Sequence, residues 1–151
     1  MRRSDVEAVA RSWVGTPFHH QQSVKGVGCD CVGLINGVGI ECAIIDFTPA
    51  KWARFEGYSR RPRPEQLLAY SDTFLHRIDV PTHKIAPRAS IGLIAWRPGE
   101  PLHFAIRARA DDGRPTIIHA LDKLKAAVEH GFVDEWPDMI DSWWAFPGIE
   151  D

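Results

Sequence analysis

Gly28-Cys29-Asp30-Cys31-Val32-Gly33-Leu34 marks the point where a loop turns into an apolar run. Residues 18–28 before it are polar and contain glycine, which predicts a loop. From Cys31 onward, Leu34, Ile35, Val38 and Cys42 recur at the spacing of a helix face, so a helix is expected over 31–45. Gly33, Gly37 and Gly39 weaken its intrinsic propensity, but they also permit another element to come close. Cys31 thereby falls in the first turn of a helix, and Asp30 falls where an N-cap belongs.

Outward from this junction, helices come first and strands follow. Residues 4–14 read as a helix with Ser4 as N-cap candidate and Glu7 three positions on. Val6, Val9, Ala10 and Trp13 form one apolar face, and Gly15-Thr16-Pro17 ends the helix. Residues 46–64 predict a long loop, or a short helix with extended segments. Glu65 to Phe74 predicts a helix behind Pro64. Beyond it, Ser90–Trp96, Leu102–Ala110 and Thr116–His119 are short apolar or alternating runs separated by Pro-Gly and Asp-Gly, with Val128–Phe132 and Trp143–Phe146 as two further strand candidates. That order predicts an α+β fold with an antiparallel sheet, in one domain over residues 1–151.

Composition narrows the function classes. Hydrophobic residues make up 44% of the chain and charged residues 25%, a globular mixture. A net charge of -2 argues against a nucleic-acid partner, because phosphate contacts need clustered Lys and Arg. The one basic run, Arg60-Arg61-Pro62-Arg63, is short and broken by proline, and reads as a solvated loop. No apolar stretch is long enough to insert in a membrane. MRRSDVEAVARSW has two arginines but no apolar stretch behind them, so no secretory signal is expected and synthesis in the cytoplasm is. Three cysteines make a poor disulfide framework, which points to at least one free thiol.

The chemistry is expected at Cys31. Helix N-terminal N–H groups favour a thiolate and can hold a developing oxyanion; the competing reading is a buried structural cysteine. Zinc fits poorly. Cys29 and Cys31 are too close for a knuckle, and in a helix Cys42 lies about 16 Å from Cys31. No metal and no cofactor are therefore expected. A thiol nucleophile needs a base. His103 begins the run His103-Phe104-Ala105-Ile106, and His119 ends Ile117-Ile118-His119. If those runs pair as a hairpin, one imidazole can take the thiol proton and the other can orient it. His76, His83 and His130 sit among polar residues and read as surface.

Four segments in order carry a resemblance: Trp13-Val14-Gly15-Thr16-Pro17-Phe18, Asp30-Cys31-Val32-Gly33-Leu34, His103-Phe104-Ala105-Ile106 and Ile118-His119-Ala120. Together they look like the successive motifs of NlpC-type cell-wall peptidases, which are papain-like cysteine hydrolases. His19-His20-Gln21 and Val24-Lys25-Gly26-Val27-Gly28-Cys29 are most similar to the branch encoded with phage tails and gene transfer agents. The resemblance implies a helix carrying Cys31 packed on an antiparallel sheet carrying His103 and His119. It implies Cys31 as nucleophile, His103 as base and His119 as orienter, with Asp30, Phe18 and His20 on the substrate side. Asp30 has a second reading as N-cap.

The family's substrates are peptidoglycan stem peptides, commonly cut between D-γ-glutamate and the diamino acid. The implied setting is the tail or baseplate of a phage-like particle, acting on the wall in the periplasm. An acyltransferase or amidase on the same fold, and a tail-assembly protein with vestigial catalysis, are the alternatives. Three positions depart from the family pattern. Phe18 stands where relatives usually have Tyr, Val32 replaces a Ser, and Gly92-Leu93 stands where relatives tend to have Gly-Asp.

Overall fold

Helix α2, Cys31–Glu41, lies at the centre of the molecule, with every residue from Cys31 to Gly39 buried. The computed structural model describes residues 1–81 and 84–150. α2 is apolar on all sides, which suits a helix surrounded by protein. The Asp30 carboxylate caps it, accepting from the Gly33 N–H at 2.7 Å. Two of its glycines admit close neighbours. A Cβ at Gly33 would sit 2.0 Å from the Gln22 carbonyl oxygen, and one at Gly37 would sit 2.2 Å from the Trp13 ring. The helix stops four residues short of expectation, at a left-handed Ala43 with φ 56°.

Among the described residues there are three further α-helices. α1 is Arg3–Ser12, α3 Pro49–Trp52 and α4 Pro64–Phe74. Val6, Ala10 and Trp13 of the expected face are buried. The expected cap is not what begins α1. The N-cap is Arg2, with no side-chain cap bond, and Ser4 lies inside the helix. Glu7 is drawn elsewhere: it is buried and receives Arg88 Nε at 2.6 Å and Arg11 Nη2 at 3.2 Å. Part of the loop over 18–28 is a small antiparallel pair, β1 Ser23–Val24 with β2 Gly28–Cys29. Two-residue strands carry no readable alternation. No helix among the described residues is long and apolar enough to cross a membrane.

Among the described residues the main sheet has six strands: β3 His76–Ile78, β4 Ile91–Arg97, β5 Glu100–Arg109, β6 Pro115–Leu121, β7 Ala126–Gly131 and β8 Ile140–Ala145. They are antiparallel in the order β3-β8-β4-β5-β6-β7. Side chains alternate between its faces. Leu93, Phe104, Ile106 and Ile118 meet Leu34, Ile35 and Val38 of α2 in the larger apolar cluster. Ile94, Ala105 and Ile117 join Phe132 and Trp143 in a smaller cluster on the other face. The β5–β6 ladder runs only from Ile106–Ile118 to Arg109–Pro115, so the strands part toward Leu102 and Leu121.

Candidate active site

A cleft opens where the β5–β6 ladder ends. Its walls include Cys31, His103, Phe18, His20, Asp30 and Tyr58. Cys31 arrives on α2 as its first residue and is 7% exposed. Its sulfur is within hydrogen-bonding reach of the Val32 and Phe104 backbone N–H groups, so the thiol lies against the residue next to His103. Ile94, the cross-strand partner of His103, precedes a register shift in β4. Such a shift re-aims side chains at the end of a strand.

The imidazoles form a line of three, not a pair. His103 Nε2 is 2.8 Å from His119 Nδ1, and His119 Nε2 is 2.7 Å from His130 Nε2. His130 Nδ1 lies 2.9 Å from the Gly131 carbonyl oxygen. Each ring comes from a different neighbouring strand, β5, β6 and β7. His119 pairs with Val128 and His130 with Ile117, so the last two are diagonal neighbours on the face of the smaller cluster. Trp136 packs edge-on to His119 at 5.2 Å, and Trp96 stacks on His103 at 5.7 Å. The expectation that His130 is a surface residue is therefore corrected: it is half-buried and bonded to His119. His76 is exposed, as expected; His83 lies outside the described residues.

Burial governs the charges here. It pushes His103 well below the usual histidine value, with repulsion from His119 adding to it. Burial and His130 push His119 down to about 3. The Cys31 thiol is pushed up to about 12, first by burial and then by the Asp30 carboxylate. The nearby N–H groups pull the other way and lose. The helix start was expected to favour a thiolate, but burial and an adjacent anion outweigh it. Burial thus favours the neutral forms of the Cys31 thiol and of the His103 and His119 imidazoles. Cys29 and Cys42 are also buried, free and raised, Cys29 to about 12.

Asp30 is heavily engaged. Besides capping α2, it accepts from the Gln21 N–H at 2.8 Å and from the Tyr58 hydroxyl. His20 Nδ1 is 3.8 Å away. Tyr58 gives the cleft a buried phenol that Phe18 does not. Leu93 is fully buried and faces Phe104 across the ladder.

Tyr58, Arg60, Arg61 and Trp96 also line the cleft, and none was singled out from the sequence as a site residue. The basic run at 60–63 was their one visible signal. As expected, Arg60 and Arg61 are exposed on a loop, and that loop forms part of the cleft wall. Among the described residues neither makes an ion pair, and no group of three or more His, Cys, Asp or Glu is placed to hold a metal ion.

No family model matches the chain, and no curated protein matches it. Among solved structures, it is similar in fold to a Staphylococcus aureus protein described as similar to lipoprotein, of the NLP/P60 family. The TM-score is 0.58 at 14% identity, over 99% of this chain and 42% of that one. This chain thus spans less than half of that protein's length. The similarity is one of fold, over the part of that protein that this chain matches.

Proposed function

We propose that the protein is a cysteine hydrolase of peptidoglycan stem peptides, with Cys31 as nucleophile, His103 as general base and His119 as its orienter. The observation that carries this is the shared cleft of Cys31 and His103, with His103 held by His119. As Cys31 sulfur bonds to the scissile carbonyl carbon, its proton passes to His103. The Phe104 and Val32 N–H groups supply nearby positive dipoles. His103 then returns the proton to the leaving amine as the C–N bond breaks. Water, deprotonated by His103, splits the thioester and releases the acid, and the thiol regains its proton.

The free charge in the cleft supports an anionic substrate. Among the described residues Arg60 and Arg61 make no ion pair, while Asp30 is occupied by the donors named above. A stem peptide carries carboxylates, and the D-γ-glutamyl-diamino acid bond is the proposed cleavage point. Resemblance of residues 19–29 to the phage-tail and gene-transfer-agent branch supports a place in a tail or baseplate that opens the wall for DNA delivery. A second reading, a tail-assembly protein with vestigial catalysis, draws on the raised thiol and on Phe18 and Val32. Incubation of the purified protein with soluble stem tetrapeptides separates the two. A new amine that appears with wild type and not with Cys31→Ala supports hydrolysis; unchanged peptide with both contradicts it.

A further inference from the structure

We propose that His130 is a positioning residue that sets the direction of the proton chain, so that His103 presents a bare Nδ1 to Cys31. This rests on Cys31 and His103 being nucleophile and base. A carbonyl oxygen can only accept, so the Gly131 contact at 2.9 Å requires the proton on His130 Nδ1. In neutral His130 the Nε2 is then bare, and it accepts from His119 Nε2–H across 2.7 Å. His119 Nδ1 is bare in turn and accepts from His103 Nε2–H across 2.8 Å. The one nitrogen left to His103 is Nδ1, without a proton. Among the described residues these ring nitrogens have no other partner, and Trp136 and Trp96 cover the chain with aromatic surface. One backbone carbonyl on β7 therefore fixes three tautomers across three strands.

The opposite direction is equally well defined. A side chain at position 130 that only donates would protonate the chain from the other end. His119 Nε2 would accept, His119 Nδ1–H would donate to His103 Nε2, and the proton would sit on His103 Nδ1. That nitrogen then meets the thiol with an N–H and cannot take its proton. A wrong tautomer in a catalytic imidazole costs orders of magnitude in turnover with the geometry otherwise intact.

The test reads ring nitrogens directly, by long-range ¹⁵N–¹H correlation on the free labelled protein at neutral pH. The expected pattern is a proton on Nε2 of His103 and His119 and on Nδ1 of His130. His130→Gln keeps a carbonyl acceptor for His119, so it should keep the pattern and most of kcat. His130→Lys should move the His103 proton to Nδ1 and lower kcat on the order of 10³-fold with KM little changed. If the Lys variant does not fold, His130→Leu serves, with mixed His103 tautomers expected. A wild-type His103 protonated on Nδ1, or a Lys or Leu variant with an unchanged ring pattern, overturns the proposal. The spectra need no substrate, so a failure of the hydrolase function would show separately, as missing products with the ring pattern intact.

Discussion

His103 Nε2 and His119 Nδ1 face each other across 2.8 Å, both rings buried, on the two strands that part to form the cleft. The contact leaves His103 its other ring nitrogen, Nδ1, free and ties its orientation to β6. His103→Ala should lower turnover on the order of 10³-fold or more, as loss of a general base does. His119→Asn should cost less, because its amide can still accept from His103 Nε2–H. Steady-state kcat for both variants checks this, and equal losses would count against separate roles.

The shifted groups set the pH range. An imidazole held well below 6.5 stays unprotonated, and able to act as base, to lower pH than an ordinary histidine. A thiol pushed up to about 12 keeps its proton through the alkaline range. The acid limb of kcat/KM should therefore lie below pH 6.5, with no fall through neutral pH. Alkylation of Cys31 by iodoacetamide should be slow at pH 7 and rise steadily with pH. Fast alkylation at pH 7 that is flat with pH would reveal a resting thiolate.

Arg60 and Arg61 are expected to act on binding. Two exposed cations, each contributing up to about 1 kcal/mol, allow up to about a 30-fold rise in KM for the double glutamine variant, with kcat little changed. Added salt should raise the wild-type KM toward the variant's. Amidated stem peptides, lacking a carboxylate, should show little difference between the two proteins.

Glu7 concerns stability. Burial alone would raise its carboxyl, but hydrogen bonds and charge from Arg88 and Arg11 win and hold it below 4.5. A group lowered on folding stabilises above its unfolded value, and that stability is lost as pH falls through the folded value. Glu7→Gln should cost about 2 kcal/mol at pH 7, moderated because both guanidinium groups are partly exposed. The difference should shrink below pH 4.5 in urea unfolding.

Much of the fold was legible because its elements have strong periods. α2 and α4 began within one residue of expectation, and β4, β5 and β6 followed from short runs between turn signals. What was missed depends on distant partners. Glu7 resembles a capping-box residue until Arg88, 81 positions away, claims it. His130 sits between Glu129 and Gly131 and looks solvated; only the β6–β7 register brings it to His119. The Arg60-Arg61 run gives its charge but not its place on the cleft wall. Cys31, His103 and Asp30 were visible locally, but the raised thiol was not, since it depends on how deeply α2 is buried.

Mass spectrometry of fragments released from peptidoglycan sacculi shows directly whether Cys31 opens a stem-peptide bond. Wild-type protein, used at high concentration, should release stem fragments with a new amino terminus on the diamino acid. Cys42→Ala should release the same fragments, because eleven helical positions place it about 16 Å from Cys31. Cys31→Ala should release none while remaining folded. Glycan-strand fragments, intact stems freed from muramic acid, or the same products from Cys31→Ala would contradict the account.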